Sequence, residues 1–206
     1  MITSLIILLP VLVGLLLWHQ LPEQIPVHFN SEGVADSYQS KLWGVTFIYL
    51  VIFACHWFAA IITSVDPRRR NISSKIYRLV LWICPVISVF VGVMIYGTAL
   101  NWPWVNINFM ANLLLGVIFI VIGNYLPKCR QNYTVGIKVP WTLASEANWD
   151  ATHRMAGKLW VAGGVLILLL AIQPWIPAFP ISLVLILAVT FIPMIYSFVY
   201  YLRNEK

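Results

Sequence analysis

The chain has 206 residues, of which 61% are hydrophobic and only 10% charged, with a formal net charge of +6 and a mean hydropathy of +0.85. A soluble domain carries roughly a quarter charged residues. Too little polar surface is present to cover a water-exposed globule, so the bilayer is the solvent for most of this chain.

Taken in order, six apolar runs read as transmembrane helices: residues 2–19, 42–64, 79–100, 106–126, 157–173 and 180–202. A helix needs about 20 apolar residues to cross about 30 Å of hydrocarbon. Lipid offers no partner to an open backbone, which makes helices obligatory. The first and fifth runs are short, and the fifth can draw length from the polar helix before it. Residues 2–19 lack the basic leader and small-residue cleavage site of a signal peptide and read as a retained span. Pro10, Pro85 and Pro193 are expected to kink their spans. The whole is expected to be an all-α integral membrane protein, a single membrane domain over residues 1–206.

Charge fixes the expected orientation. Residues 65–78 hold Arg68, Arg69, Arg70, Lys75 and Arg78; residues 124–158 hold Lys128, Arg130, Lys138, Arg154 and Lys158; Arg203 and Lys206 follow in the tail. Lys41 alone stands on the other side. The positive-inside rule then puts both termini in the cytoplasm and residues 20–41, 101–105 and 174–179 outside. Trp18, Trp43, Trp102, Trp104 and Trp175 fall near the outer interface as an aromatic belt. Topology explains the net charge, so a nucleic-acid partner is not implied.

Apart from Lys158 at the start of the fifth, no span carries Asp, Glu, Lys or Arg. Coupled transport keeps an ionisable group in the membrane. His56 comes nearest, and it reads as a neutral imidazole bonded to a neighbouring helix. Trp57 is mid-span and is expected to pack between helices. Cys55 and Cys84 read as small apolar filler. Asn112, Gly116 and Gly123 share one face of the fourth span, with Asn124 at its end. Gly157, Gly163 and Gly164 are expected to meet that face from the fifth.

In the outer connection, Pro22 and Pro26 forbid a regular helix. Residues 25–29 suit an extended stretch, and Asn30-Ser31-Glu32-Gly33 is turn chemistry with Gly33 able to take positive φ. His28, Glu32 and Asp36 could share a metal, but their spacing fits no strong signature. The segment reads as a rigid cap or as a ligand-facing surface.

In the inner connection, Pro127 ends the fourth span. Gly136 and Pro140 bracket a short extended piece. Thr142 or Ser145 can cap the next helix, and Glu146 suits its positive first turn. Nothing breaks that helix until about Ala171, so a cytoplasmic stem runs into the fifth span. Trp149, Thr152, His153, Ala156 and Trp160 share one side of it; Asp150, Arg154 and Lys158 line another, with Asp150–Arg154 an i,i+4 pair. Trp149 and Trp160 read as interfacial anchors, while the cluster around His153 could bind a partner or a small headgroup. Catalysis finds little support. Ser145 and His153 are about 12 Å apart by helical rise, and Cys129–His153 is the one nucleophile–base pair left open. No phosphate loop or paired-carboxylate motif is present.

Two stretches carry a resemblance. Leu21-Pro22, Ile25-Pro26, His28-Phe29-Asn30, Gly33, Asp36 and Ser40-Lys41 resemble the short uncharacterised domain at the start of SdpI-like membrane proteins. Gly123-Asn124, Pro127-Lys128, Asn132, Gly136-Ile137-Lys138, Pro140-Trp141-Thr142-Leu143, Glu146, Trp149, Thr152-His153-Arg154 and Gly157 resemble the signature of the SdpI family itself. That family generally has Arg where Lys138 stands, and Lys keeps the charge but loses the planar fork. The resemblance implies a bacterial multi-pass immunity protein that protects its cell against a secreted, membrane-active toxin peptide met at the outer face. It also implies a cytoplasmic repressor held at the inner motif. No cofactor or metal is expected from the residues themselves. A small-molecule or lipid transporter is the alternative, and a membrane-embedded enzyme ranks behind it.

Overall fold

The computed structural model describes residues 2–173 and 178–204. Residues 174–177, with Trp175, and Lys206 lie outside the described residues. In chain order the elements are α1 (Ile2–Leu16), β1 (Gln24–Phe29), β2 (Ala35–Ser40), α2 (Lys41–Ser64), α3 (Ser74–Ala99), α4 (Ile107–Tyr125), α5 (Pro140–Ala144), α6 (Glu146–Ile172) and α7 (Ala178–Asn204). Five helical stretches among the described residues are long and apolar enough to cross a membrane: α2, α3, residues 107–128, α6 and α7. At 15 residues, α1 is shorter. Pro10, Pro85 and Pro193 lie within continuous helices. The polar stem and the fifth apolar run are one helix, α6, as the absence of breakers predicts.

Contacts group the chain into two compact units, Met1–Ala60 with Leu79–Leu114, and Ile61–Arg78 with Leu115–Lys206. In the first unit, Leu21, Ile25, Val45, Tyr49, Ile95 and Tyr96 form a buried cluster. Proline at position 10 cannot donate to the helical ladder of α1. Two carbonyls of α1 also accept bonds from α3: Ser88 Oγ donates to Ile7 O at 2.7 Å and Tyr96 Oη to Pro10 O at 2.8 Å. His56 is buried, with Nε2 3.3 Å from Thr3 Oγ1, the interhelical bond its sequence position suggests. Trp57 corrects the sequence reading. It is 44% exposed, because its place on α2 turns it away from the side that buries His56 and Ala60.

The 20–41 connection is a hairpin rather than a single extended stretch. β1 and β2 pair antiparallel from Gln24↔Ser40 to Phe29↔Ala35, with irregular register on both sides of His28. Asn30 Oδ1 accepts the N–H groups of Glu32 and Val34, and Gly33 takes φ +78°. That is the turn its residue types favour. Ile25 anchors the hairpin on α2, seated against Gly44, where a Cβ would lie 2.4 Å from that of Ile25. Lys41 is also spoken for. Its Nζ sits 2.8 Å from Glu23 Oε1 and 3.3 Å from Trp18 O.

In the second unit, α4 and α6 meet through glycines. A Cβ at Gly116 would lie 2.9 Å from Gly164 O, and one at Gly157 2.8 Å from Gly123 O. The expected pairing of the two glycine faces is therefore present, except that Gly163 faces Val189 of α7. Asn112 turns its amide back to Asn108 O at 2.8 Å. Phe119, Ile167 and Val189 fill the core beside this seam. Gly157→Val forces the backbones apart, and overpacking of this kind costs about 1–3 kcal/mol. Its unfolding midpoint in detergent is expected to fall clearly below that of Gly163→Ala, whose added methyl meets only the movable Val189 side chain.

Candidate functional site

The 124–158 connection is built around four buried side chains whose polar atoms are satisfied within the second unit. Asn132 is fully buried. Its Oδ1 accepts the N–H groups of Thr134 and Val135 at 2.9 and 2.6 Å, and its Nδ2 donates to Arg130 O and Val135 O at 2.8 and 2.9 Å. One amide thus shapes the loop that follows α4. Pro140 opens the short helix α5, the first-turn position proline favours. Thr142, also fully buried, donates to Ile137 O at 2.8 Å and accepts the Val139 N–H at 3.1 Å. Ser145, not Thr142, caps α6 by accepting the Asn148 N–H at 3.2 Å.

Trp149 and His153 close the site. The rings stack with centroids 4.0 Å apart. Trp149 Nε1 donates to Cys129 O at 2.6 Å. His153 Nδ1 lies 2.8 Å from Trp149 O, and its Nε2 lies 2.9 Å from the Ile137 N. A carbonyl only accepts and a backbone N–H only donates, so His153 carries its proton on Nδ1. Gly136 makes the bond to Ile137 possible. It takes φ +120°, and a Cβ there would sit 2.5 Å from His153 Nε2. The reading of Trp149 as an interfacial anchor is corrected: it has no exposed surface, because residues 129–137 fold over it. Trp160 is half-buried, donating from Nε1 to Val189 O at 2.9 Å.

His153 precedes the apolar part of α6 that begins at Gly157. Burial pushes its pKa down to about 4, against smaller raising effects from the Trp149 carbonyl and Asp150. The bond from Ile137 requires the neutral ring. Its contribution is complete above the ordinary imidazole value of about 6.5. It declines as pH falls from there towards about 4, because the unfolded chain takes up a proton the native site refuses. Thermal stability is expected to drop across that window, and His153→Gln to lose that part of the pH dependence.

The second anchor of the loop comes from residues 65–71. Asp66 is buried. Its Oδ1 accepts the Arg68 N–H at 2.6 Å, and its Oδ2 accepts the Tyr133 N–H at 3.0 Å and the Thr134 hydroxyl at 2.8 Å. Arg68 also donates from a guanidinium nitrogen to Gln131 Oε1. Gln131 Nε2 in turn donates to Thr142 O at 2.7 Å, and Asn71 Nδ2 to Gln131 O at 2.7 Å. On the far side, Asn148 ties the stem to α7: Ser197 Oγ donates to Asn148 Oδ1 at 2.8 Å, and Asn148 Nδ2 to Ser197 O at 3.0 Å, while Thr152 Oγ1 donates to Asn148 Oδ1 at 3.1 Å within α6. Sequence reasoning missed Asp66, Gln131, Asn148 and Ser197. Asp66 did leave a signal, as the lone acid in a connection with five basic residues.

The sequence-derived residues therefore divide. Asn132, Thr142, Trp149 and His153 are internal, and Gly136 shapes the backbone between them. Asn124, Lys128, Lys138, Pro140, Glu146 and Arg154 are exposed, with Trp141 half-buried against Phe198 at 4.8 Å between ring centroids. Lys138 Nζ makes a single bond to Thr134 O at 2.8 Å, a point contact that needs no guanidinium fork. Asp150–Arg154 is not closed; the ion pairs among the described residues are His28–Asp36 and Lys41–Glu23. The exposed pair, His28–Asp36, gains little.

The open Cys129–His153 pairing does not form. Both ring nitrogens are engaged elsewhere, and the Cys129 thiol donates to Val135 O at 3.3 Å. Burial pushes that thiol up to about 11, the opposite of an activated nucleophile. At the other connection, His28 Nδ1 and Asp36 Oδ1 pair at 2.6 Å at the surface, Asn30 and Gly33 make the turn, Pro26 is buried and Pro22 exposed. Among the described residues no three His, Cys, Asp or Glu side chains gather to hold a metal, so Glu32 does not complete a set with that pair.

The fold is that of a helical membrane chain whose polar loop is knitted to its stem. Residues 128–201 match the SdpI/YfhL protein family and residues 5–53 match a domain of unknown function, DUF1648. Over residues 128–201 the chain is similar to the SdpI/YfhL family, and it is a multi-pass cell-membrane protein. It is 25% identical over 205 residues to the Immunity protein SdpI of Bacillus subtilis (strain 168), covering 97% of this chain and 94% of that protein. No solved structure matches it.

Proposed function

We propose that the chain is an SdpI-like immunity protein that protects its cell against a secreted, membrane-active toxin peptide, and that its inner motif is a docking platform for a cytoplasmic repressor. The observation that carries this reading is the similarity to an immunity protein along almost the whole chain, spanning both polar connections. The platform's form favours docking over chemistry. Its polar interior is satisfied from within, and its charged residues, Lys128, Lys138, Glu146 and Arg154, stand outside.

In this reading six helices cross the bilayer, α1 among them, with both termini cytoplasmic, because twelve of the thirteen basic residues then face the cell interior. The hairpin meets the peptide, and residues 124–158 meet the soluble partner. Signalling between the faces requires two states with different affinity for the peptide.

The test is expression in toxin-sensitive cells. Wild type is expected to restore growth under peptide challenge. Lys138→Glu with Arg154→Glu is expected to abolish recovery of a cytoplasmic partner while leaving resistance in place. A chain that inserts normally yet confers no resistance to any peptide of this kind would end the immunity reading.

A further inference from the structure

A cavity of about 740 Å³ lies in the first unit, under the hairpin. Val27, Phe29 and Gln39 of the hairpin roof it, and below them its walls are α2 and α3. On α2 the lining runs from Trp43 to Ile52, and on α3 from Ile87 to Ile95. Neither wall carries a charged side chain, and Gln39 at the roof is the polar side chain in the lining. The roof is fixed, since Ile25 is locked against Gly44.

Three features select the occupant. The mouth is continuous with the lipid-facing surface of α2: Trp43 and Phe47 line the cavity yet are 56% and 54% exposed, alongside exposed Leu42 and Leu50. The ten residues of α2 from Trp43 to Ile52 span nine rises, about 14 Å, close to half of the roughly 30 Å hydrocarbon layer. The groove therefore starts at the level of an interfacial tryptophan and ends near mid-bilayer, the depth of one leaflet's acyl chains. The lining then bears on the guest: the groove is apolar and open to the lipid-facing surface, so a flexible hydrocarbon chain can enter from the bilayer and conform to it. A polar ligand would lose its water here and find Gln39 alone in return.

We propose that this groove is a binding site for one acyl chain of a membrane phospholipid, held between α2 and α3 beneath the hairpin. The chain fills apolar space that helix packing leaves open, and it places its headgroup beside the hairpin, at Gln39.

The test uses the full chain in vesicles of phosphatidylglycerol and phosphatidylethanolamine doped with a phospholipid carrying a photoreactive diazirine in its acyl chain, with labelled residues mapped by mass spectrometry. Label is expected on the groove walls, at Ile48 and Val91, as well as on lipid-facing Leu50. In the filled variants Ile48→Trp and Val91→Phe, groove label is expected to be lost while Leu50 label persists, which also shows that the variants insert normally. Groove walls that stay unlabelled while Leu50 labels, groove label unchanged by both variants, or cross-links from the groove to a second copy of the chain would each overturn the proposal.

Discussion

Trp149→Ala is expected to unfold the 124–158 platform while leaving the chain in the membrane. The indole has no exposed surface, stacks on His153, donates to Cys129 O and packs against Ile72 and Ile76. Truncating a buried Trp costs about 3–5 kcal/mol. Here the loss falls where the loop, the stem and residues 72–76 converge, so the loop has no second core to fall back on. Limited proteolysis should show rapid cleavage between residues 128 and 140 in the variant and protection in wild type. Trp149→Phe keeps the stack and loses the hydrogen bond, and should fall between the two. Equal protection in all three would mean that the loop is held by something other than this ring.

Asp66→Ala is expected to have the next largest effect, although Asp66 belongs to no recognisable motif. It strips the acceptor from the Arg68 and Tyr133 N–H groups and the Thr134 hydroxyl. Hydrogen bonds to a charged group contribute about 1.5–3 kcal/mol each, and buried donors left unpaired add their desolvation cost. A combined loss of about 3–5 kcal/mol follows, in line with breaking a buried charged contact. Gln131→Ala attacks the same junction from the opposite side, through the side-chain bonds to Arg68, Thr142 O and Leu143 O. The two losses should therefore be less than additive in a double-mutant cycle of unfolding midpoints. Strict additivity would show that residues 65–71 and the loop are not one unit.

The apolar helices were legible because hydrocarbon thickness and backbone satisfaction leave few alternatives, and α6 was legible as one element because nothing between Glu146 and Ile172 breaks it. The hairpin was half-legible. Residues 25–29 read as extended, but Ala35–Ser40 is polar and almost wholly exposed, with no alternating apolar face to announce a strand. Its pairing follows from the Asn30 turn and the seating of Ile25. The faces of the stem were also readable from the helical period, and the side holding Trp149 and His153 is the buried one. What covers that face was not. A tryptophan at the membrane end of a polar helix fits an interfacial anchor as well as a core, and only a loop folding back from residues 129–137 decides between them. Asp66 lies 68 positions from Thr134, a separation over which no local pattern carries information. Trp57 was misread for a related reason, since which side of a span faces its neighbours is set by helices elsewhere in the chain.

Sidedness tests the account most directly. In a background with Cys55, Cys84 and Cys129 replaced by Ala, single cysteines at Lys138 and at Ser31 can be challenged with a membrane-impermeant maleimide. The proposed orientation predicts that Ser31→Cys labels in intact cells, whereas Lys138→Cys labels only once the membrane is opened. Labelling of Lys138→Cys from the medium would contradict the account, because the platform would then face away from any cytoplasmic partner.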